Sequence, residues 1–495
     1  MHYRMLIGGA QLDAADDRRL PVFNPFTGEE IATIPDADTQ DVASAVRAAR
    51  DAFDNGWGST PGIERARLLH RLADLIDEAA AEFGRLETDD NGKLLRETTA
   101  QAKFAARNYR FFAGYADKLY GRTIPLDQHG MFDYTVRQPV GVAALITAWN
   151  SPMQLLANKL APALAAGCTV VIKPSEHASL STLRLGDLIA EAGFPAGVVN
   201  IVTGGVECGQ AIAGHPGLDR ISFTGSVPTG QAIMAAANRT LVPVTLELGG
   251  KSPNIVFEDA DFDRAVTGAL NGIFSAGGQT CIAGSRLLVA DAIYDRMVAA
   301  LAERAAQIRL GDPTAAATQM GPVANRPRLE RITGVIEKAR SDGARMVAGG
   351  EVVPRSDLQN GLFVAPTVFA DVDSDSALAQ EEIFGPVLSV IRFTSEGEAV
   401  RVANGTEFGL ASAVWTKDLA RAHRVAEALV AGTVWVNTYR VSAAQAPFGG
   451  VGKSGHGRER GEEALDEYLR TKNVMIDLNP AIPDLFEIAQ PREDR

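Results

Sequence analysis

Between residues 36 and 120, apolar side chains recur every three or four positions. In "DVASAVRAARDAFDNGW" and "ERARLLHRLADLIDEAAAEFGRLETDD" this spacing predicts amphipathic helices. The pattern changes in "YGRTIPLDQHGMFDYTVRQPVG". Gly130 marks a turn there, and "MFDYTVR" alternates, with Phe132, Tyr134 and Val136 on one face. A two-stranded excursion over 120–140 is predicted, too small to stand alone and suited to cover by a second subunit. From Val142 onward, short β-branched runs begin 22 to 29 residues apart: "VAALITAW", "TVVIKP", "VVNIVTG" and "RISFTG". Each is followed by a helical segment, which implies right-handed crossovers and a parallel sheet. A second α/β region follows "LELGGKSPNIVFEDAD", with a helix around "AIYDRMVAALAERAAQI" and strands at "LSVIRF", "ASAVWT" and "TVWVNT". The stretch "GEEALDEYLRTKNVMIDL" reads as a helix followed by a strand.

Composition narrows the function. At 495 residues the chain exceeds one ordinary core, so two or three domains are expected. A hydrophobic content of 46% with 22% charged residues is that of a globular protein. The net charge of −13, without a basic block, argues against nucleic acid as a partner. The longest apolar stretch, "LLANKLAPALAAGCTVVI", is interrupted by Asn158, Lys159 and Pro162 and reads as a buried helix entering a strand, so no membrane partner is expected. The first residues hold too short an apolar run for a secretory signal. Three widely spaced cysteines fit a reducing compartment, and a cytoplasmic location is expected. The seven histidines show no metal-ligand spacing, and no metal is expected.

In a parallel sheet, ligands bind beyond the carboxyl ends of the strands. Trp149 and Asn150, Lys173 to Glu176, Gly204 to Gly209, and Gly225 to Gly230 occupy such positions. The turn "FTGSVPTG" exposes backbone N–H groups at a helix start, where a phosphate can sit, although it is neither a Walker loop nor a GxGxxG fingerprint. Lys173 and Glu176 can hydrogen-bond a ribose diol or form a plain surface salt pair. Glu247, between two leucines, is a candidate general base because apolar surroundings raise a carboxyl pKa. Cys281 lies in the small-residue loop "FSAGGQTCIAGSR", where neighbours leave room for a reactant. Cys168, in "LAAGCTVVIK", reads instead as a packed structural residue.

Taken in order, "TAWNSP", "IKPSE", "FTGS", "LELGGKSP", "FSAGGQTCIAGSR", "EEIFGPV" and "PFGGVGKSG" resemble the signatures of the NAD(P)-dependent aldehyde dehydrogenase superfamily along nearly the whole chain. The resemblance implies a three-layer α/β/α fold: a Rossmann-like cofactor domain (1–119 and 141–248), an α/β catalytic domain (249–451), and a β oligomerisation arm with a C-terminal segment (120–140 and 452–495). It implies Cys281 as nucleophile, Asn150 with the Cys281 N–H as oxyanion hole, and Glu247 as the base that activates water. For NAD it implies the ribose pair Lys173 and Glu176, and the pyrophosphate turn at Gly225 and Ser226 with Gly230. Trp149, Phe223, Ile146, Gly209 and Leu248 are implied to line the groove, and Glu382 and Phe384 to contact the nicotinamide ribose. Glu176 favours NAD, with NADP tolerated in some relatives. A homodimer or homotetramer acting on a small-molecule aldehyde is expected. The alternatives are an acylating enzyme that passes the thioester to coenzyme A, which would not need Glu247, and a non-enzymatic binding protein, which would not keep Cys281, Asn150 and Glu247 together.

The sequence departs from familiar members at the tunnel leading to the cysteine. Where several relatives have an aromatic collar, this chain has Ser151, Asn158, Ser275 and Ser442, and only Phe448 keeps its ring. Thr280 and Ile282 flank the nucleophile, and Arg440 is placed near the mouth or facing solvent. A wide, polar tunnel is expected.

Overall fold

The β-branched runs after Val142 become the centre of an eight-stranded sheet in the computed structural model, which describes residues 1–353, 358, 361–480 and 484–486. Residues 481–483 and 487–495 of the expected C-terminal segment lie outside the described residues. The five parallel strands stand in the order Val199–Ile201, Thr169–Lys173, Val142–Ile146, Arg220–Thr224, Val244–Glu247. Strand order reverses direction at Val142–Ile146, so a crevice opens between the carboxyl ends of Val142–Ile146 and Arg220–Thr224. The two edges are closed by antiparallel strands that come from elsewhere. Met5–Ile7 pairs with Val199–Ile201, and Gly455–His456 pairs with Val244–Glu247. Four N-terminal strands between Met5 and Pro35 were not legible in the sequence, because their apolar runs are three to six residues long.

Helices cover both faces. The interrupted apolar stretch is the helix Pro152–Ala166, with proline at its start and Gly167 in the left-handed conformation at its end, running into Thr169–Lys173. The predicted N-terminal helices are Thr39–Asp54, Gly62–Glu78, Ala80–Asn91 and Leu95–Ala113. Asp38 caps the first of these by accepting from the Gln40 and Asp41 N–H groups.

The second region forms a seven-stranded sheet, parallel but for the edge strand Arg345–Ala348. "LSVIRF", "ASAVWT" and "TVWVNT" are its strands Val387–Phe393, Ala411–Trp415 and Thr433–Val436. The excursion near residue 130 is part of a three-stranded sheet: Met131–Pro139 pairs with Thr123–Ile124 on one side and along nine residues with Leu469–Asp477 on the other. Phe132 and Tyr134 share a face, with ring centroids 5.8 Å apart. Phe132, Met475, Ile476 and Leu478 are exposed on or beside this sheet. Among the described residues, no helix is long and apolar enough to cross a membrane.

One buried ion pair ties the first sheet to the returning C-terminal chain. Lys159, on the helix Pro152–Ala166, donates to Glu459 over 2.6 Å and to the Ser222 hydroxyl over 2.9 Å. Both charged side chains are essentially removed from solvent. Removing one partner of such a pair strands the other charge, at a cost of about 3–5 kcal/mol. Lys159→Met is expected to lower the urea unfolding midpoint sharply, and Lys159→Met/Glu459→Gln to regain most of the loss. An unchanged midpoint in the single variant would show that the pair does not hold the two segments together.

Candidate active site

The loop that carries Cys281 is shaped by three consecutive residues of left-handed backbone. The helix Phe262–Phe274, capped by Asp261, ends at Ser275, and Ala276, Gly277 and Gly278 follow with φ of 55°, 60° and 70°. A Cβ on Gly278 would lie 2.1 Å from the Gly385 carbonyl oxygen, and one on Gly250 would lie 2.7 Å from that of Cys281. Small residues are thus required for close backbone approach as well as for access. Gln279 pins the loop. Its side chain accepts from Ala324 N–H (2.9 Å), and its carbonyl accepts from Asn150 Nδ2 (3.1 Å). That bond uses one amide hydrogen of Asn150 and brings Asn150 to the cysteine loop. Tyr439 donates to the Ile282 carbonyl at 3.0 Å from the other side.

Cys281 is half-buried, whereas Cys168 and Cys208 are buried. Burial and the nearby carboxylates of Glu247 and Glu382 push its thiol up to about 12, and Arg460 opposes them. Its surroundings thus disfavour the thiolate. Glu247 ends the strand Val244–Glu247, and neither of its carboxylate oxygens has a hydrogen-bond partner among the described residues. Burial first, and Glu459 second, hold its pKa well above the ordinary carboxylate range, against Lys159, Arg458 and Arg460. This is the raised pKa that its leucine neighbours led us to expect.

The crevice gathers most of the residues expected to hold a cofactor. Lys173 is buried, with Nζ 3.7 Å from the half-exposed Glu176, so this is not a plain surface pair. Gly209 packs beside it: a Cβ there would lie 3.8 Å from Lys173 Cε. Ser226 caps the helix Val227–Ala237, and the Phe223 ring lies against Gly225. Gly230 is not in the turn. It lies inside that helix, where a Cβ would meet the Leu248 side chain at 2.9 Å, so its role is helix–strand packing. Ile146 ends the strand Val142–Ile146, at the same crevice. At this switch point the hydroxyls of Thr147 and Thr224 are buried without a partner among the described residues. On the opposite wall, Phe384 has left-handed backbone (φ 58°) and meets Trp149 edge-on at 5.3 Å. Glu382 accepts from Gly250 N–H at 3.1 Å.

The tunnel positions are less open than their side-chain sizes suggest. Ser151 accepts from Lys93 Nζ at 2.7 Å, and Ser442 is hydrogen-bonded by Arg460. Arg440, with left-handed backbone (φ 64°), donates to the Ser275 carbonyl at 3.0 Å and does not simply face solvent. Asn158 is buried between Asn108 (2.7 Å) and Glu459 (3.0 Å), as part of the polar core rather than a free wall. Thr280 and Ile282 are half-buried beside the nucleophile, and Phe448 is buried under Arg460, whose guanidinium stands 4.4 Å from the ring centroid. Lys93, Arg460, Lys159 and Glu459 were missed from sequence. "NGK" and "GRERGEE" carry no signal beyond that of solvated charge.

The Aldehyde dehydrogenase family model matches residues 12–474. The chain belongs to the aldehyde dehydrogenase family. It is 46% identical over 472 residues, covering 95% of this chain and 94% of the relative, to (Z)-2-((N-methylformamido)methylene)-5-hydroxybutyrolactone dehydrogenase of Acinetobacter baylyi. It is 43% identical to betaine aldehyde dehydrogenase of Bacillus subtilis, covering 98% of this chain and all of that one (100%). The crystal structure of betaine aldehyde dehydrogenase from Staphylococcus aureus in complex with NAD+ is similar to it, with a TM-score of 0.97, 41% identity, and 98% and 97% of the two chains covered. This aldehyde dehydrogenase thus has the three-layer fold that its motifs implied.

The loop geometry yields a test. In Gly278→Ala the new Cβ must displace backbone, and a shift of about 1 Å at a reacting atom costs roughly 100-fold in rate. A loss of that order in kcat is expected, whereas Gly334→Ala, in a helix with open space around it, keeps full activity. Equal activities for the two variants would remove the argument that Gly278 places the cysteine.

Proposed function

We propose that this chain oxidises an aldehyde to the carboxylic acid with NAD, through a thiohemiacetal and then a thioester on Cys281. The observation that carries this reading is the meeting of Cys281, Asn150 and the unpartnered, buried Glu247 at one crevice. Sγ of Cys281 adds to the aldehyde carbon and its proton passes to solvent, the one net proton that the oxidation releases. The carbonyl oxygen becomes an oxyanion held by the free Asn150 amide hydrogen and the Cys281 N–H. The donor set fits a dinucleotide: Lys173 and Glu176 for a ribose diol, the capped start of the helix Val227–Ala237 for a pyrophosphate, Glu382 for the second ribose, and the partnerless Thr147 and Thr224 hydroxyls between them. Bound there, NAD supplies the acceptor for the hydride that leaves the former aldehyde carbon. Glu247 then takes a proton from water, which attacks the thioester, releasing the acid and restoring the thiol.

We assign 1–119 and 141–248 to a cofactor domain, 249–451 to a catalytic domain, and 120–140 and 452–495 to an oligomerisation arm and C-terminal segment, whose strand Gly455–His456 returns to the first sheet. Exposed Phe132, Met475 and Ile476 on the three-stranded sheet support a homodimer, or a tetramer built from dimers, through that arm. The free cysteines support a cytoplasmic setting. The water-activating glutamate supports hydrolysis over transfer to coenzyme A.

Cys281→Ala is expected to lower turnover by about 10³-fold or more, while Cys168→Ala and Cys208→Ala keep it. Full activity of the Cys281 variant ends this mechanism. Glu247→Gln is expected to show a rapid burst of NADH followed by slow turnover. A base with a raised pKa is protonated, and idle, below that pKa, so wild-type turnover rises with pH. That limb disappears in Glu247→Gln, and loss of the burst itself would assign Glu247 to an earlier step.

Cofactor choice is a separate expectation. A 2′-phosphate placed against Glu176 meets like-charge repulsion, so kcat/KM is higher with NAD than with NADP. The reverse preference would show that Glu176 turns away from the ribose.

A further inference from the structure

Three cations converge where the sequence offered small tunnel residues. Lys93 reaches Ser151, Arg440 reaches the Ser275 carbonyl, and Arg460 reaches Ser442. Lys93 comes from the N-terminal half, and Arg440 and Arg460 come from one stretch near the other end of the second sheet region. Each lies within electrostatic reach of Cys281. Arg460 also holds left-handed backbone (φ 58°), a conformation unfavourable for a long side chain. It is only 7% exposed and stacks on Phe448, and its Nε is buried without a partner among the described residues. The direct hydrogen-bond partners of the three are uncharged oxygens: serine hydroxyls, the Ser275 carbonyl and the Gln101 amide. Among the described residues, no carboxylate forms a direct ion pair with any of them. Their counter-charges act at longer range: Glu97 and Glu87 on Lys93, Glu97 on Arg440, and Glu459 and Glu247 on Arg460. Glu459 itself is ion-paired with Lys159, and Glu97 accepts from Ala276 N–H.

Concentrating buried positive charge without ion-pair partners is costly unless a ligand supplies the counter-charge. A guanidinium with a free N–H presents the planar fork that suits a carboxylate. We propose that the substrate is an aldehyde bearing a carboxylate away from its reactive end, an oxo acid, held by Arg460 with Arg440 and Lys93 while its aldehyde carbon meets Cys281. This rests on Cys281 as the nucleophile. The trimethylammonium of betaine aldehyde would face three like charges here.

The experiment compares kcat/KM at low ionic strength for 4-oxobutanoate, 5-oxopentanoate, the neutral butanal and pentanal, and betaine aldehyde. At least one oxo acid is expected to exceed its neutral counterpart by about tenfold or more, with betaine aldehyde the poorest. Arg460→Met should raise KM for the oxo acid by about tenfold or more and erase most of that preference, and Arg460→Lys should restore part of it. Succinate and glutarate should inhibit wild-type enzyme competitively with aldehyde, and more strongly than their diamides, a measurement independent of any variant's folding. A neutral aldehyde or betaine aldehyde as the best substrate, or equal inhibition by acids and diamides, overturns the proposal and leaves the thioester mechanism standing. No oxidation of any of the five overturns both.

Discussion

The ion pair of Lys159 and Glu459 links a helix of the first sheet to a segment 300 residues later, and the electrostatics of the site are built around it. Glu459 raises the pKa of Glu247, and Lys159 lowers it. The same segment supplies Arg460, which favours the Cys281 thiolate against burial and the carboxylates. Base and nucleophile therefore titrate in a field set by one buried arrangement of charges. In so little water each charge acts at high strength on the next. Burial and this field disfavour the charged forms of both groups, and the crevice at the switch point of the first sheet opens beside them.

Much of the architecture was legible because it follows from periodicity. Four runs spaced like βαβ units gave the parallel core strands, and the interrupted apolar stretch became the helix and strand it suggested. The N-terminal strands escaped notice because two of them have only three residues. Their stability comes from pairing with partners distant in sequence, such as Leu6 with Ile201, and no local pattern records that. The excursion near Gly130 was visible as alternation, but its long partner Leu469–Asp477 lies more than 300 residues away.

The site divided along the same line. Cys281, Glu247 and Asn150 were singled out as candidates through motifs that include glycines whose left-handed conformation the backbone geometry requires. Gly230 was assigned to a turn because glycine is the usual turn residue, yet it serves as a gap that Leu248 fills. The cations escaped because a charged residue in sequence is read as solvated unless something marks it otherwise. Lys93 is buried, and burial together with Arg440 lowers its pKa to about 8. Serines 151, 275 and 442 signalled lost aromatic volume, and each of them is hydrogen-bonded by a long basic side chain from another segment.

The return of the chain to the first sheet has a consequence for biosynthesis. Gly455–His456 closes the edge beside Glu247, and Phe448 bridges to Glu459 by reciprocal backbone hydrogen bonds of 2.7 Å. A ribosome that has released the first sheet and most of the second still holds a chain whose Lys159 lacks its counter-ion and whose site lacks one wall. Domains fold as they emerge, but contacts across hundreds of residues must wait for their later partner. The Cys281 thiol is thereby set in its field only after the segment around Glu459 has emerged and docked.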